Sequence, residues 1–170
     1  MHESIPNLFY AMKTNAIIYL KGDATVLQAK GTKIIAHICN NLGGWGKGFV
    51  LAISKRWQSP EKEYRHWHRN RSKNDFYLGN IQVIQTEKYI YVANMLGQQG
   101  MKTGSNGVPI RYQAVEYRLE KLAEEAKNLN ASVHMPRIGC GFAGGKWEKI
   151  EPIVNNTLIK NNIPTFVYDF

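Results

Sequence analysis

Short apolar runs alternate with helix-spaced apolar residues along most of the chain. Each run ends near turn-forming residues, a pattern typical of buried strands. The runs are Ala16–Leu20, Lys33–Cys39, Ile81–Gln85, Tyr89–Met95, Ser132–Pro136 and Thr165–Tyr168. Between them, apolar residues recur at steps of three and four, which indicates helices with one buried face. These positions are Phe49, Ala52, Ile53 and Trp57, then Val115, Leu119, Leu122, Ala126 and Leu129, then Trp147, Ile150, Val154 and Leu158.

Strands that alternate with helices predict a mostly parallel sheet with helices on both faces. The expected fold class is therefore α/β, a three-layer α/β/α sandwich around a mixed, mostly parallel central sheet. The first helix is expected to start near Lys47 and to stop before Pro60. Pro152 fits best in the first turns of the last helix, where a missing N–H is harmless. No repeat or linker interrupts the pattern, so residues 1–170 are expected to form a single domain.

Two glycine-rich loops follow predicted strands and lead into predicted helices. The first contains Gly43, Gly44, Gly46 and Gly48, and the second runs from Gly139 to Gly145. Glycine lets backbone N–H groups approach a ligand closely, and a helix start adds unpaired N–H groups and partial positive charge. Ligands of such sheets lie beyond the carboxyl ends of the strands. Together the loops indicate a phosphate or pyrophosphate site, although neither contains a Gly-Lys-Ser/Thr triplet and no strand-to-helix GxGxxG fingerprint is present.

Composition narrows the class of protein but not its partner. The chain has 170 residues, 44% of them hydrophobic, and a formal charge of +9. This charge suggests an anionic partner, but taken alone it is better interpreted as solvated surface lysines. No stretch approaches the roughly 18 apolar residues of a membrane span, and the first residues lack the apolar segment of a secretory signal, so a cytoplasmic location is expected. Cys39 and Cys140 are too few for a disulfide scaffold and are expected to be reduced, and no metal or cofactor site is expected.

Three segments resemble the motifs of the macrodomain family, in family order. They are Gly22-Asp23-Ala24-Thr25, then His37 to Asn41 followed by Gly43 to Gly48, and Met135 to Gly141 followed by Gly144, Gly145 and Trp147. The last segment is most similar to the branch that contains terminal ADP-ribose glycohydrolases and bacterial DNA ADP-ribosyl glycohydrolases. The likeness spans Asn15 to Phe170, with residues 1–14 as an N-terminal extension. It implies a cleft for ADP-ribose or a derivative, such as an ADP-ribosyl group, O-acetyl-ADP-ribose or ADP-ribose 1″-phosphate.

The resemblance also implies roles for individual residues. Asp23 would accept a hydrogen bond from the adenine amino group beside the Ala24 backbone, and Tyr168 or Phe170 would pack on the adenine face. Without the family likeness, Asp23 is interpreted as a turn-capping residue. The backbone that would wrap the pyrophosphate is that of Gly139, Cys140, Gly141, Phe142, Ala143 and Gly144. The residues that would flank the distal ribose are Asn40, Gly46, Lys47, Gly48, Met95, Gly97 and Gln98.

Two departures from the glycohydrolase branch leave enzyme activity open. The stretch from Ala93 to Gln98 contains no lysine to attack the distal ribose, and none follows before Lys102. No carboxylate follows Gly139-Cys140-Gly141 directly. Asn40, which would position a water, and Lys47 are the remaining catalytic candidates; the simpler interpretation of Lys47 is a solvated lysine near a helix start. A binding module and a hydrolase of an ADP-ribosyl bond, an O-acetyl ester or ADP-ribose 1″-phosphate therefore both remain open.

Other residues have a functional and a structural interpretation. Cys140 lies at a candidate helix start, where a thiolate is stabilised, but a small buried spacer is favoured. Cys39 is expected in the core. The basic segment from Lys62 to Lys73, with Tyr64 and Trp67, suits nucleic-acid binding, but an amphipathic helix with both aromatics buried is favoured. The expected partner is ADP-ribose or an ADP-ribosylated macromolecule, with nucleic acid as an alternative and a monomer as the expected state.

Overall fold

Six strands and four helices make up the part of the chain that the structure describes. The structure is a computed structural model that describes residues 16–27, 29–100, 110–141 and 143–170. The strands are β1 (Ile18–Lys21), β2 (Lys33–Asn40), β3 (Ile81–Glu87), β4 (Ile90–Gln98), β5 (Ser132–Pro136) and β6 (Thr165–Asp169). The helices are α1 (Phe49–Arg56), α2 (Ser59–Arg69), α3 (Tyr112–Leu129) and α4 (Trp147–Thr157). Residues 1–14, predicted as an N-terminal extension, lie outside the described residues.

The strands form one sheet in the order β1-β6-β5-β2-β4-β3. Neighbouring strands are parallel except for the β3–β4 pair, which is antiparallel. Parallel neighbours need crossover connections, and these place helices on the sheet faces. The predicted three-layer α/β/α fold with a mixed, mostly parallel sheet is confirmed.

Each face of the sheet buries its own hydrophobic cluster. Ile34, Ala36 and Met95 pack under α3 and α4, where Leu119 and Val154 are fully buried. The opposite face of β2 and β4 packs under α1 and α2 in a second cluster that includes Ile35, Cys39, Ile53, Tyr64 and Trp67. Alternating β2 residues feed the two clusters, which explains its unbroken apolar sequence.

Helix boundaries differ from the predictions at Gly48 and Pro152 and agree with them at Pro60. Helix α1 starts at Phe49 rather than Lys47, because Gly48 has φ +83° and ends the loop. It stops at Arg56, before Pro60, as predicted, but Pro60 then opens α2 from its first turn. Pro152 is the sixth residue of α4, so it lies inside that helix rather than at its start. At that position an N–H would normally bond to the Glu148 carbonyl, and proline has none to offer.

Strand β4 continues past its predicted end through a bulge at Gly97. Cys39 pairs with Leu96 and Asn40 pairs with Gln98, so Gly97 is an extra residue in β4. Because β1, β2, β4, β5 and β6 are all parallel, their carboxyl ends share one edge of the sheet, and both glycine-rich loops start there. Among the described helices, none is both long and apolar enough to cross a lipid bilayer.

Arg118 is buried on the inner face of α3 and has an unusual environment. It is 0% exposed, and no acceptor among the described residues bonds to its Nε or Nη atoms. Burial lowers the pKa of its guanidinium to about 9. An unpaired buried charge is costly, and a well-packed apolar replacement is often stabilising.

We expect Arg118→Met to raise the free energy of unfolding by about 1–2 kcal/mol, since methionine fills similar space without the charge. Urea titration by circular dichroism measures the change. Arg69→Met, at an exposed α2 position, is the matched control and is expected to shift stability by less than about 0.5 kcal/mol. A destabilised Arg118→Met would show that the guanidinium is compensated in solution.

Candidate functional site

Asn40 shapes the first glycine-rich loop from inside. Its Oδ1 accepts hydrogen bonds from the N–H groups of Leu42 (2.8 Å) and Gly44 (3.0 Å), and its Nδ2 donates to the Gly44 carbonyl at 2.9 Å. The Tyr64 hydroxyl donates to the Asn40 carbonyl at 2.6 Å. Both ends of the amide are thus occupied by the loop, which argues against the predicted water-positioning role of this side chain.

Trp45 and α2 hold the same loop from behind. Trp45 is 3% exposed, and its indole N–H donates to Ser54 Oγ at 2.7 Å. Gly43 has φ +80°, and an added Cβ would lie 2.5 Å from the His68 ring, so only glycine fits against α2 there. Gly46 and Lys47, predicted beside the distal ribose, are exposed at the front of the loop.

The second glycine-rich loop is closed by backbone hydrogen bonds. The Gly145 N–H donates to the Gly139 carbonyl at 2.7 Å, and the Gly144 N–H donates to the Gly141 carbonyl at 3.1 Å. Gly139 and Gly144 have φ of +73° and +76°. A Cβ on Gly145 would lie 2.5 Å from the Gly139 oxygen. Phe142, predicted in this loop, lies outside the described residues.

Two adjoining cavities lie at the carboxyl edge of the sheet, and the smaller one lies between these loops. The larger measures about 800 Å³ and the smaller about 270 Å³. Phe49 and Pro136 line both, so the cavities form one groove. The larger is lined by Gly22, Asp23, Ala24, Phe49, Leu51, Ala52, Lys55, Arg56, Pro136, Tyr168 and Phe170. The smaller is lined by His37, Ile38, Lys47, Gly48, Phe49, Val50, Gln98, Pro136, Arg137, Ile138, Gly139, Gly141 and Ala143.

Asp23 both caps a turn and faces the larger cavity. Its Oδ1 accepts from the Thr25 N–H at 2.8 Å and from the Thr25 hydroxyl at 2.7 Å. Among the described residues, Oδ2 has no hydrogen-bond partner. The turn-capping interpretation is therefore confirmed, and it leaves one carboxylate oxygen for the predicted adenine contact, which stays a prediction.

Tyr168 forms a wall of the larger cavity and is fixed by a buried histidine. Its hydroxyl lies 2.7 Å from His134 Nδ1, and His134 Nε2 lies 2.8 Å from Ser132 Oγ. The His134 ring stacks on Phe166 with centroids 4.7 Å apart. Burial lowers the pKa of His134 to about 3, so the ring is neutral. Phe170 lines the same cavity but is fully exposed, so of the two predicted adenine-packing rings only Tyr168 is held in place.

The polar side chains of the smaller cavity are His37, Lys47, Gln98 and Arg137, with no carboxylate among its described lining residues. His37 Nε2 lies 2.5 Å from Asn94 Oδ1. The Asn94 amide nitrogen donates to backbone and side-chain oxygens of other residues, so its oxygen faces His37 and Nε2 carries the proton. Burial lowers the pKa of His37 to about 4, which leaves a neutral ring at neutral pH.

The predictions for the end of β4 are only partly right. Gln98 lines the smaller cavity and donates to the Gly100 carbonyl at 2.8 Å. Met95 is 0% exposed in the core under α3, so its predicted contact with the distal ribose is wrong. Gly97 is also buried, and a Cβ there would lie 3.3 Å from the side chains of Ile38 and Val115. The reason is that β4 runs on to Gln98, which keeps Met95 and Gly97 within the sheet.

Neither cysteine is set up as a nucleophile. Cys39 is 3% exposed in the core, as predicted, and burial raises its pKa to about 12. Cys140 is half-buried in the second loop, with Sγ 3.5 Å from the Ile138 carbonyl. Burial raises the pKa of Cys140 more than nearby Arg137 lowers it, so the thiol stays protonated at neutral pH. This favours the spacer interpretation.

The basic segment from Lys62 to Lys73 is the predicted amphipathic helix followed by a 3₁₀ turn. Tyr64 is 0% and Trp67 is 6% exposed, so both aromatics belong to the core. Arg65 pairs with Glu61 at 2.9 Å and donates to the Gly43 carbonyl at 3.1 Å. Among the described residues, no group of three His, Cys, Asp or Glu side chains is arranged to hold a metal.

The sequence did not reveal that one face of α1 lines the groove. Phe49 and Ala52 were assigned to a buried stripe, yet they face the larger cavity beside Leu51, Lys55 and Arg56. The signal in the sequence was Leu51, an apolar residue that lies outside the helical stripe predicted to face the core. In the structure Leu51 is 53% exposed. Pro136 and Arg137 belong to the motif from Met135 to Gly141, but the sequence predicted no role for them in the site.

Similar proteins of known structure share this fold over nearly the whole chain. A protein of unknown function from Bacteroides thetaiotaomicron is 52% identical, with a TM-score of 0.87, and the match covers 91% of this chain and 98% of that one. A macrodomain protein from Streptomyces coelicolor is 52% identical, with a TM-score of 0.82 and coverage of 91% and 99%. Thermosipho africanus DarTG in complex with ADP-ribose has a TM-score of 0.64 at 15% identity, covering 83% of this chain and 40% of that one, and shows the shared fold.

Curated proteins are more distant. Chromodomain-helicase-DNA-binding protein 1-like of Danio rerio is 32% identical over 162 residues, which is 90% of this chain but 15% of that protein. The chain therefore spans less than a fifth of that relative's length. ADP-ribose 1″-phosphate phosphatase of Lodderomyces elongisporus is 25% identical over 146 residues, which is 81% of this chain and 89% of that protein. No protein-family model matches the sequence.

Proposed function

This chain belongs to the macrodomain family, and on that premise we propose that its groove binds ADP-ribose or a terminal ADP-ribosyl group. The adenosine would occupy the larger cavity beside Asp23 and Tyr168. The pyrophosphate would lie against the second glycine-rich loop, and the distal ribose would point toward Lys47 and Gln98. The carrying observation is that the two cavities share Phe49 and Pro136, so one elongated ligand can fill both.

The order of chemical groups along the groove supports this ligand. A free carboxylate oxygen and an aromatic wall suit a purine with an amino group, and exposed backbone of two glycine-rich loops suits phosphates. Relatives of similar length are named as ADP-ribose 1″-phosphate phosphatases. Thermosipho africanus DarTG, which shares the fold, has been solved in complex with ADP-ribose, and this supports the same ligand for the present groove.

The smaller cavity favours binding over hydrolysis. Both amide atoms of Asn40 are bonded within the loop, and His37 is protonated on the nitrogen that faces Asn94. The described lining offers no carboxylate as a general acid or base. Lys47 is exposed at the cavity and remains a catalytic candidate. Timed hydrolysis of ADP-ribose 1″-phosphate, O-acetyl-ADP-ribose and an ADP-ribosylated substrate decides the matter, with Asn40→Ala and Lys47→Ala alongside. Turnover by the wild type above the buffer blank would replace the binding proposal with the hydrolase.

Asp23→Asn is expected to weaken ADP-ribose binding about 10- to 100-fold at unchanged stability. Asparagine keeps the oxygen that caps the Thr25 turn but presents an amide NH₂ where the second carboxylate oxygen would accept from adenine. Isothermal titration calorimetry measures the affinity, and thermal melting checks the fold. The hypoxanthine analogue of ADP-ribose is a matched ligand, because its exocyclic C6 carbonyl oxygen accepts from the new NH₂, so the variant should lose its preference for adenine.

The control for Asp23→Asn is Asp75→Asn, a carboxylate outside the groove that accepts from the Trp67 indole N–H at 2.7 Å. It should leave ADP-ribose affinity unchanged. If folded wild type gives no heat with millimolar ADP-ribose, the proposed function is wrong. If Asp23→Asn binds as tightly as the wild type, the assignment of the adenine end is wrong.

A further inference from the structure

The larger cavity carries two cations that the groups of ADP-ribose do not explain. Lys55 and Arg56 occupy the last turn of α1, and both line this cavity. Within the part of the chain that the structure describes, neither forms an ion pair. Adenosine itself is neutral at pH 7, so a nucleoside alone gives these charges no partner.

Arg56 is exposed, but its guanidinium is held in a defined position. Its Nε donates to Thr25 Oγ1 at 2.9 Å, and the same hydroxyl donates to Asp23 Oδ1 at 2.7 Å. Thr25 is 3% exposed, so the connection is buried at its centre. One hydroxyl therefore links the guanidinium to the proposed adenine-binding carboxylate. The two Nη groups have no partner among the described residues and stay free for an anion.

The pyrophosphate is too far away to be that anion. Gly48 lines the smaller cavity and directly precedes α1, and Lys55 lies seven residues further on. At about 1.5 Å of rise per residue, the cations lie roughly 10–12 Å along the helix from Gly48. The hydrogen bond to Thr25 holds the Arg56 guanidinium beside Asp23, so a pyrophosphate against the glycine-rich loops lies at the other end of α1 from it.

The cavity also has room for a larger group. Its volume of about 800 Å³ suits a whole drug-sized ligand, which is more than an adenosine fills. The pyrophosphate and distal ribose have the adjoining cavity of about 270 Å³. Space and unpaired cations therefore coincide at the adenosine end of the groove.

We propose that the ligand carries a phosphate ester on its adenosine ribose, bound by Arg56 and Lys55. The proposal rests on the proposed function, since it places the adenosine of ADP-ribose in the larger cavity. Arginine binds a phosphate through two N–H groups and lysine adds a point charge. The ester is either a terminal phosphate or the linkage to a further nucleotide, and both present at least two non-bridging anionic oxygens.

Calorimetry with phosphorylated ligands tests the proposal. We expect 2′-phospho-ADP-ribose or its 3′ isomer to bind wild type about tenfold or more tightly than ADP-ribose at 50 mM salt. The ratio of the two affinities should fall toward one in Arg56→Gln and toward an intermediate value in Lys55→Gln. It should also fall at 500 mM salt, because the contact is between exposed charges. Lys88→Gln removes an equal charge outside the groove and should keep the wild-type ratio.

The outcomes separate this proposal from the proposed function. If ADP-ribose binds but neither phosphorylated ligand binds more tightly, the proposal is wrong and the proposed function stands. If no ligand binds, both are wrong. If Arg56→Gln does not fold, Lys55→Gln provides the same test, because it should also lower the ratio of the affinities for phosphorylated and unphosphorylated ADP-ribose. A methyl phosphodiester at the same ribose position identifies the source: equal affinity with the monoester indicates a nucleotide chain, and weaker affinity indicates a terminal phosphate.

Discussion

Gly145→Ala is expected to lower the free energy of unfolding by about 2–3 kcal/mol and to abolish measurable ADP-ribose binding. The new Cβ would lie 2.5 Å from the Gly139 carbonyl oxygen, which also accepts the 2.7 Å hydrogen bond that closes the second loop. The oxygen belongs to the backbone and the position of a Cβ is fixed by the backbone, so no side-chain rotation relieves the clash and the loop must open. Chemical denaturation and calorimetry measure the two effects.

Gly141→Ala is the matched control in the same loop. A Cβ there meets no atom of the described residues within 4 Å, so stability should stay within about 0.5 kcal/mol of the wild type. Gly141 also lines the smaller cavity, so the added methyl group should weaken ligand binding without unfolding the protein. If both variants have the same denaturation midpoint as the wild type, the loop is not held by the Gly139–Gly145 contact.

Stability should fall steeply as the pH drops below about 6.5. Burial lowers the pKa of His37 to about 4 and that of His134 to about 3, whereas both imidazoles titrate near 6.5 in the unfolded chain. In this window the unfolded chain binds more protons than the folded protein, so the stability present above pH 6.5 is lost on acidification. Each histidine contributes up to about 1.4 kcal/mol per pH unit.

Urea titrations between pH 7.5 and 4 measure this slope, which should approach about 2.7 kcal/mol per pH unit for both rings together. His134→Gln should remove about half of it, although it also breaks the contact with Tyr168. His66→Asn, at an exposed position of α2, should leave the slope unchanged. The lowered pKa values of Asp75 and Asp169 act only below about pH 4, outside this window. A flat profile from pH 7 to 5 would contradict the buried neutral rings.

Most of the fold followed from the periodicity of apolar residues, because a buried strand and a half-buried helix have different repeats. Ser132–Pro136 was predicted with its observed bounds. The end of β4 was missed because Gly97 looks like a strand terminator, whereas the structure uses it as a bulge inside the strand. Patterns of single residues do not distinguish these two uses of glycine.

The site was predictable where backbone chemistry decides it and unpredictable where long-range contacts do. The glycine-rich loops were found because several glycines between a predicted strand and a predicted helix favour a close approach of the backbone to a ligand. The link from Arg56 through Thr25 to Asp23 depends on a hydrogen bond between Arg56 and Thr25, which are 31 positions apart. The local sequence around neither residue predicts this bond. The self-bonded state of Asn40 was equally hidden, because an asparagine after a strand suits a ligand contact as well as a loop contact.

The hydroxyl of Tyr64, by anchoring the carbonyl of Asn40, also bears on how fast a ligand can be captured. It connects α2 in the core to the start of the first glycine-rich loop, which restricts that loop before a ligand binds. Part of the conformational entropy of the loop is therefore lost on folding and not at each binding event. Association should therefore depend on diffusion and charge attraction, and the lifetime of the complex should reflect the quality of its contacts alone.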